Sequence, residues 1–321
     1  MELSSERVER LSAQTGFLPR YVEKVVRLVN LLEEIQNHPD LKDQFVLKGG
    51  TALNVFFFDL PRLSVDIDLN FIGEANVTRM KEIRPEIEDA LERVFRRSDL
   101  SVVNKPTETH SSSQWILNYN QATRGKDSIK VDLNYLRRVP ILEVQNIEPS
   151  NIGSFVFDSF PLLDINELAA GKFKALFERN SSKDLYDTQT LLSETELNED
   201  KLRVAFVVYG ASARQDWRKI SLESLDSKYP NIKNTLPDML QSKERNQLEQ
   251  LVENLTSSVR EGLSIVLPFR DSEEEFLRKI NLEGEIEPSL ITQSSNLQKR
   301  IKKDPALHWK AKNVKEHYGL N

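Results

Sequence analysis

Polar and apolar positions change period along the chain. Within residues 5–36, Val22, Val25, Val26, Val29, Leu32 and Ile35 recur at spacings of three and four, the signature of a helix buried along one side. Residues 45–47 form a short apolar run that stops at Gly49-Gly50, which predicts a strand ending in a turn. Residues 51–58 predict a helix, DLPRLS a turn, and residues 65–71, which alternate, a strand. Residues 79–97 read as a charge-rich helix. Residues 114–120 (QWILNYN) and 129–136 (IKVDLNYL) read as two strands paired across QATRGKDS.

A helical period then takes over. The segment LLDINELAAGKFKALFER opens on Asp164 with Glu167 three residues later, the spacing of a capping box. A second helix is expected from about Asp184. Beyond residue 190 nearly everything reads as helical, with Leu248, Leu251, Val252, Leu255 and Val259 on one face. Strands first and helices afterwards predict an α+β fold, with a boundary expected at residue 192: residues 1–192 carry the sheet, and 193–321 form a helical domain.

The 321 residues suffice for one large or two ordinary domains, and 39% hydrophobic with 29% charged residues fits a globular protein with a proper core. A net charge of −6 gives no general pull toward nucleic acid, so such affinity has to come from a local patch. The absence of cysteine excludes disulfides and thiolate metal sites and points to a reducing compartment. His38, His110, His308 and His317 are scattered without zinc-ligand spacing. A charged N-terminal stretch and no apolar run of membrane-spanning length predict a cytoplasmic protein without a membrane partner.

Candidate chemistry concentrates in the alternating strands. Residues two apart on a strand face the same side, so Asp66 and Asp68 project together while Val65, Ile67 and Leu69 face the core. Two carboxylates this close repel unless a cation neutralises them, and hard cations such as Mg²⁺ or Mn²⁺ take oxygen ligands of this kind. On residues 129–136, Ile129, Val131, Leu133 and Tyr135 share one face, and Lys130, Asp132 and Asn134 the other. If the two strands are neighbours, Asp132 becomes a third carboxylate at the same place, and such a set can hold a pair of ions for phosphoryl or nucleotidyl transfer. Gly49 and Gly50, between a strand and a helix start, leave room for a phosphate to approach backbone N–H groups, and Thr51 adds a hydroxyl. Each signal alone also has a plain structural reading: a chain reversal for the glycines, and a solvated or Arg62-paired strand for the aspartates.

Ile165, Leu168, Lys172 and Leu176 fall on one helical stripe, so Lys172 interrupts a buried face, whereas Lys174 points elsewhere. Such a lysine either snorkels to the edge or offsets triphosphate charge during transfer; in the second case stability should not depend on it. Asp184 and Asp187, three apart on the next helix, are candidates to orient Lys172 or a substrate ribose, and Asp184 alone also suits a helix N-terminus.

The segments LKGGTALNVFFFDLPRLSVDIDLNF, KVDLNY, ELAAGKFKALFERNSSKDLYD and DPALHWKAKNVKEHYG together resemble the AbiEii/AbiGii family of nucleotidyltransferase-like toxins, from about residue 40 to the C-terminus. The resemblance implies the DNA polymerase β-like nucleotidyltransferase fold, a mixed sheet flanked by helices. It implies that Gly49 and Gly50 form the nucleotide loop, with Lys48, Thr51, Arg62, Ser64, Lys172 and Asp187 in the nucleotide site. Asp66, Asp68, Lys172 and Asp184 would be catalytic, and Asp66, Asp68 and Asp132 would hold Mg²⁺ or Mn²⁺. Many relatives have arginine where this chain has Lys183, which bears on any bidentate contact there. The implied protein is the toxin of a toxin–antitoxin or phage-defence pair, acting as a monomer. It would move a nucleotide from an NTP to RNA, with tRNA 3′ ends the target class, and a separate antitoxin would oppose it.

Seven Lys or Arg between Lys299 and Lys315, against the single acid Asp304, make a basic tail that also carries His308 and Trp309. Such a segment can engage phosphates and stack bases; equally, Trp309 can pack on the domain, and the acidic stretch 271–287 can pair with the lysines. Two other functions use the same residues: a phosphotransferase or autokinase acting on a protein hydroxyl, and a non-catalytic RNA- or protein-binding relic.

Overall fold

A computed structural model describes residues 3–103, 111–153, 155–179, 181–225, 236–246 and 248–320, with backbone only for 248–254. His110 and the side chains of Leu248, Leu251 and Val252 lie outside the described residues. The chain divides into two compact units. The first comprises Met1–Arg138, Val144–Leu163 and Pro237–Gln247, and the second Val139–Glu143, Asp164–Leu236 and Leu248–Asn321. The chain therefore passes between the units at 138/139, 143/144, 163/164, 236/237 and 247/248. Residue 192, the boundary expected from the sequence, lies inside helix α6 (Ser182–Glu194), whose Leu185 and Leu191 are fully buried and which packs on α5 (Ile165–Arg179).

The first unit begins with α1 (Ser5–Thr15) and α2 (Pro19–Asn37). The sequence pattern predicts one helical stretch here. It breaks because Gly16 adopts the left-handed conformation, its N–H returning to the Ser12 carbonyl, and Pro19 then starts a new helix at its first position. Next comes β1 (Phe45–Lys48), leading into α3 (Gly49–Thr51), which widens at once into a π-helical turn over Ala52–Phe57. The Asn54 side chain donates to the Gly50 carbonyl at 2.9 Å, an acceptor the regular helical ladder would otherwise use. Then follow β2 (Asp66–Phe71), α4 (Val77–Arg97), β3 (Ser101–Val102), β4 (Ser112–Asn120), β5 (Lys126–Asn134), β6 (Gln145–Ile147) and β7 (Phe160–Leu162).

These strands form one seven-stranded mixed sheet in the order β3-β4-β5-β2-β1-β7-β6. β4 and β5 pair antiparallel, as the sequence predicts, and β2 and β5 are parallel neighbours, with Asp68 opposite Asp132. One face of the sheet is apolar: Ile67, Leu69, Trp115, Val131, Leu133 and Tyr135 are fully buried. Helix α4 covers it, with Phe95 edge-on to Trp115 and Glu88 accepting the Tyr135 hydroxyl at 3.0 Å. Closing one face forces the charged residues of β2 and β5 onto the other.

The second unit is helical: α5, α6 and α7 (Glu199–Ala211), then α9 (Leu248–Gly262), α10 (Asp271–Leu282), α11 (Ser295–Lys302) and α12 (Pro305–Tyr318); the short α8 (Ser242–Arg245) belongs to the first unit. At the N-terminus of α5, Asp164 accepts from the Asn166 N–H, as a cap should. Glu167, however, holds the Ile141 and Leu142 N–H groups and the Tyr209 hydroxyl, so it fastens segment 139–143 and α7 to α5. The core of this unit includes Phe177, Phe206 and Trp217 in mutual ring contact. Gly210 lies against Trp217 so closely that a Cβ there would stand 1.9 Å from the indole Cδ1. Gly210→Ala should therefore force this aromatic cluster apart and destabilise the protein by about 1–3 kcal/mol. Thermal denaturation checks this; an unchanged melting temperature would contradict the packing described.

Candidate active site

Four strands bring one polar row together on the face opposite α4. The registers place Lys48 of β1 opposite Asp68 of β2, Asp68 opposite Asp132 of β5, and Asp132 opposite Gln114 of β4. Asp66 sits in the adjacent row, opposite Lys130. The expectation that β2 and β5 are neighbours is met, and Asp66, Asp68 and Asp132 share one face.

The three carboxylates are not a ready-made cluster, however. Lys48 Nζ stands 4.0 Å from Asp68 Oδ1. The Asp132 oxygens are both engaged, Oδ2 by Lys130 Nζ at 2.5 Å and Oδ1 by Gln114 Nε2 at 2.6 Å. Among the described residues, no three acidic or histidine side chains stand close enough together to hold an ion. Burial works against the Lys130 ammonium, but the hydrogen bond and charge of Asp132, with Asp66 and Asp68 adding theirs, outweigh it and raise its pKa above the ordinary lysine value. A positive charge at this place thus already feels all three aspartates. The donor chemistry, all carboxylate oxygen, fits Mg²⁺ or Mn²⁺.

The glycine turn is shaped by the same aspartate. Gly49 has φ +79°, and a Cβ there would lie 2.3 Å from Asp68 Oδ2. Only glycine lets β1 turn into α3 with Asp68 pressed against its backbone. A Cβ on Gly50 would meet Ser64 Oγ at 2.8 Å and the Arg62 guanidinium at 2.9 Å, so Arg62 and Ser64 back the turn. Arg62 is buried and donates to the Leu63 carbonyl, and the Thr51 hydroxyl, fully buried, donates to the Asp66 carbonyl at 2.6 Å. The structure therefore uses Thr51 to tie α3 to β2, where the sequence reading offers its hydroxyl to a phosphate.

The second unit holds a separate ion cluster. Lys172 Nζ lies 2.7 Å from Asp187 Oδ2 and 3.2 Å from Asp184 Oδ1. Arg179 grips Asp184 with two bonds, Nε to Oδ2 at 2.8 Å and Nη2 to Oδ1 at 3.1 Å. A bidentate contact to Asp184 thus exists despite Lys183, supplied from the end of α5. Lys172 is 8% exposed, Asp184 2% and Asp187 1%, so these charges depend on one another. Lys172 does not snorkel, and the expectation that stability ignores it gives way: without its ammonium, Asp187 and Asp184 are buried with less compensation. Lys174 is half-buried and pairs with Glu178 at 2.6 Å.

Two surface pockets, of about 830 and 570 Å³, are lined by none of the nucleotide- or metal-site candidates, although the first is lined in part by His308, Lys312 and Lys315 of the basic tail. Alternation along β5 sets Lys130 on the Asp132 face but carries no sign of their pairing, and neither Gln114 nor Arg179 stands out in the sequence. A period-of-two count shows Lys130 beside Asp132, whereas Gln114 needs the β4–β5 register.

A mixed sheet presenting paired strand aspartates beside a Gly-Gly turn defines a nucleotidyltransferase-type protein. The family model described as "Nucleotidyl transferase AbiEii toxin, Type IV TA system" matches residues 30–288, and the chain belongs to this family. The match stops short of the tail that the sequence resemblance includes. Among solved structures, the nucleotidyltransferase toxin MenT4 from Mycobacterium tuberculosis H37Rv aligns with a TM-score of 0.66 at 13% identity, covering 96% of this chain and 99% of that one, which supports the fold. No curated protein matches the chain.

Replacing Lys172 by Ala should lower stability by about 3 kcal/mol, because nearly buried carboxylates lose their partner. Lys174→Ala, a control at a more exposed pair, should cost less than about 1 kcal/mol. Chemical denaturation of both variants checks this; equal stabilities would refute the buried cluster.

Proposed function

We propose that this family member is a metal-dependent enzyme that transfers a nucleotide from an NTP to the 3′ end of an RNA, with tRNA the target class, in the cytoplasm and opposed by a cognate antitoxin. The observation that carries the reading is the row Lys48, Asp68, Asp132 and Gln114 across four strands, with Asp66 alongside and Gly49 moulded to Asp68. Asp66, Asp68 and Asp132 are the residues that would hold Mg²⁺ or Mn²⁺, which supplies charge neutralisation at the phosphates. A carboxylate of this set accepts the proton of the RNA 3′-hydroxyl. That oxygen forms a bond to the α-phosphorus of the NTP, the α–β phosphoanhydride bond breaks, and pyrophosphate leaves. The half-buried Gly49 is assigned to bring backbone N–H groups near the phosphates, and Lys48 adds positive charge beside it. Lys172, held by Asp187 and Asp184, is assigned to offset phosphate charge on the strength of the family motif.

The basic tail serves RNA binding in this reading. Trp309 is 52% exposed, and Lys302, Lys303 and Lys312 are exposed, whereas the acidic stretch pairs largely within itself: Lys279 with Glu287 at 2.6 Å, Arg278 with Glu275 and Glu283. Lys310 belongs to the fold, since its Nζ donates to the Ala213 carbonyl at 3.1 Å and burial lowers its pKa. Arg300 likewise anchors α11 to the Leu142 carbonyl. Reversing Lys302, Lys303 and Lys312 to Glu should weaken RNA binding and flatten its salt dependence by about one unit of slope for each phosphate no longer engaged. Filter binding across a salt series measures this; unaltered affinity would remove the tail from the RNA interface.

The reaction itself is tested by incubating the protein with each labelled NTP and total RNA. Label should enter RNA with one NTP preferred, and Asp66→Asn or Asp68→Asn should each reduce transfer on the order of a hundredfold or more while the melting temperature holds. Label entering protein would instead establish the phosphotransferase, and no transfer at all the binding relic.

A further inference from the structure

The residue that the proposed chemistry leaves without a task is Lys130. It lies on the same strand and the same face as Asp132, two positions before it, and directly opposite Asp66. Its ammonium is 2.5 Å from Asp132 Oδ2, while Gln114 Nε2 takes Oδ1. Both oxygens of the third carboxylate are therefore committed to donors within the sheet. Asp68, by contrast, faces its nearest lysine at 4.0 Å. The Lys130 side chain is 39% exposed and ends a flexible four-carbon stem, so the ammonium can swing away without disturbing the core.

We propose that Lys130 is a built-in counter-cation that competes with divalent ions for Asp132, and so sets how tightly the carboxylate row binds a metal. The inference rests on the metal-dependent reading above and names the residue that regulates that site. Three unneutralised carboxylates on one face would attract divalent cations whether or not substrate is present. A tethered ammonium removes most of that attraction, because a carboxylate already paired with a positive charge gains less from a second one. Asp132 would then become available to a divalent ion only when Lys130 lets go. Gln114 keeps Asp132 oriented across the hairpin meanwhile.

The test is Mn²⁺ binding to the full-length protein without nucleotide, followed by calorimetry and by the electron paramagnetic resonance signal of free Mn²⁺. Lys130→Met keeps the length of the stem and removes the charge, and it should bind Mn²⁺ tighter by on the order of tenfold. Lys130→Arg keeps the charge and should stay near the wild-type affinity. Adding Asp132→Asn to Lys130→Met should abolish the gain, since the gain is assigned to Asp132. Melting curves confirm that each variant is folded, which the exposed position of Lys130 favours. Equal or weaker Mn²⁺ binding by Lys130→Met overturns the proposal, as does a gain that survives Asp132→Asn. If wild-type binding is lost in Asp68→Asn yet Lys130→Met changes nothing, the metal reading stands and the Lys130 inference alone falls. If neither wild type nor Lys130→Met binds Mn²⁺, both fall.

Discussion

The parallel pairing of β2 with β5 is the constraint on which the sheet unit turns. Because the strands align with Asp68 opposite Asp132, the pleat that buries Ile67, Leu69, Val131 and Leu133 under α4 must put the aspartates on the opposite face. A slip of one residue would exchange core and acid faces, so the apolar packing itself fixes the register of the site. The resulting crowd of negative charge needs compensation. Lys48 beside Asp68 and Lys130 on Asp132 contribute to it. The Gly49 turn completes the arrangement, since its positive φ and missing Cβ are what allow Asp68 to lie against the backbone.

The helical unit meets its own charges differently. Lys172, Asp184 and Asp187 are almost wholly buried, and they persist because each finds a partner, with Arg179 closing the set from the end of α5. Such a cluster is costly to break singly, so any catalytic use of Lys172 is tied to the stability of α5 and α6. Glu167 has a comparable structural burden, joining segment 139–143 and Tyr209 to the same helix. A loss of activity at any of these residues therefore has to be read beside a measurement of folding.

Much of this is legible in the sequence, and what is not has identifiable causes. Alternation alone places Asp66 and Asp68 together, whereas the stripe interrupted by Lys172 singles out the lysine without deciding between snorkelling and burial. The parallel neighbour of β2 can be stated only as a condition, because strand order depends on pairings remote in sequence. The π-helical turn is hidden, since Asn54 bonding to the Gly50 carbonyl leaves no periodic trace. A late return of the chain to the sheet unit is hidden for a related reason. Segment 237–247 returns to the sheet unit, where Met239 accepts the Leu63 N–H at 2.8 Å and Leu240 bridges Arg62, and linear patterning does not reveal such returns. Arg179 is invisible to a motif that expects arginine next to Asp184, because its long side chain reaches that aspartate from the preceding helix.

Whether the aspartate row moves a nucleotide onto an RNA end is decided by sequencing RNA 3′ ends in cells after brief expression of the protein. Untemplated nucleotides are expected on a defined set of RNAs, concentrated on tRNAs, in cells expressing the wild-type chain, and none in cells expressing Asp68→Asn at equal abundance. Unchanged 3′ ends during growth arrest by the wild-type protein would contradict it, as would additions that persist with Asp68→Asn.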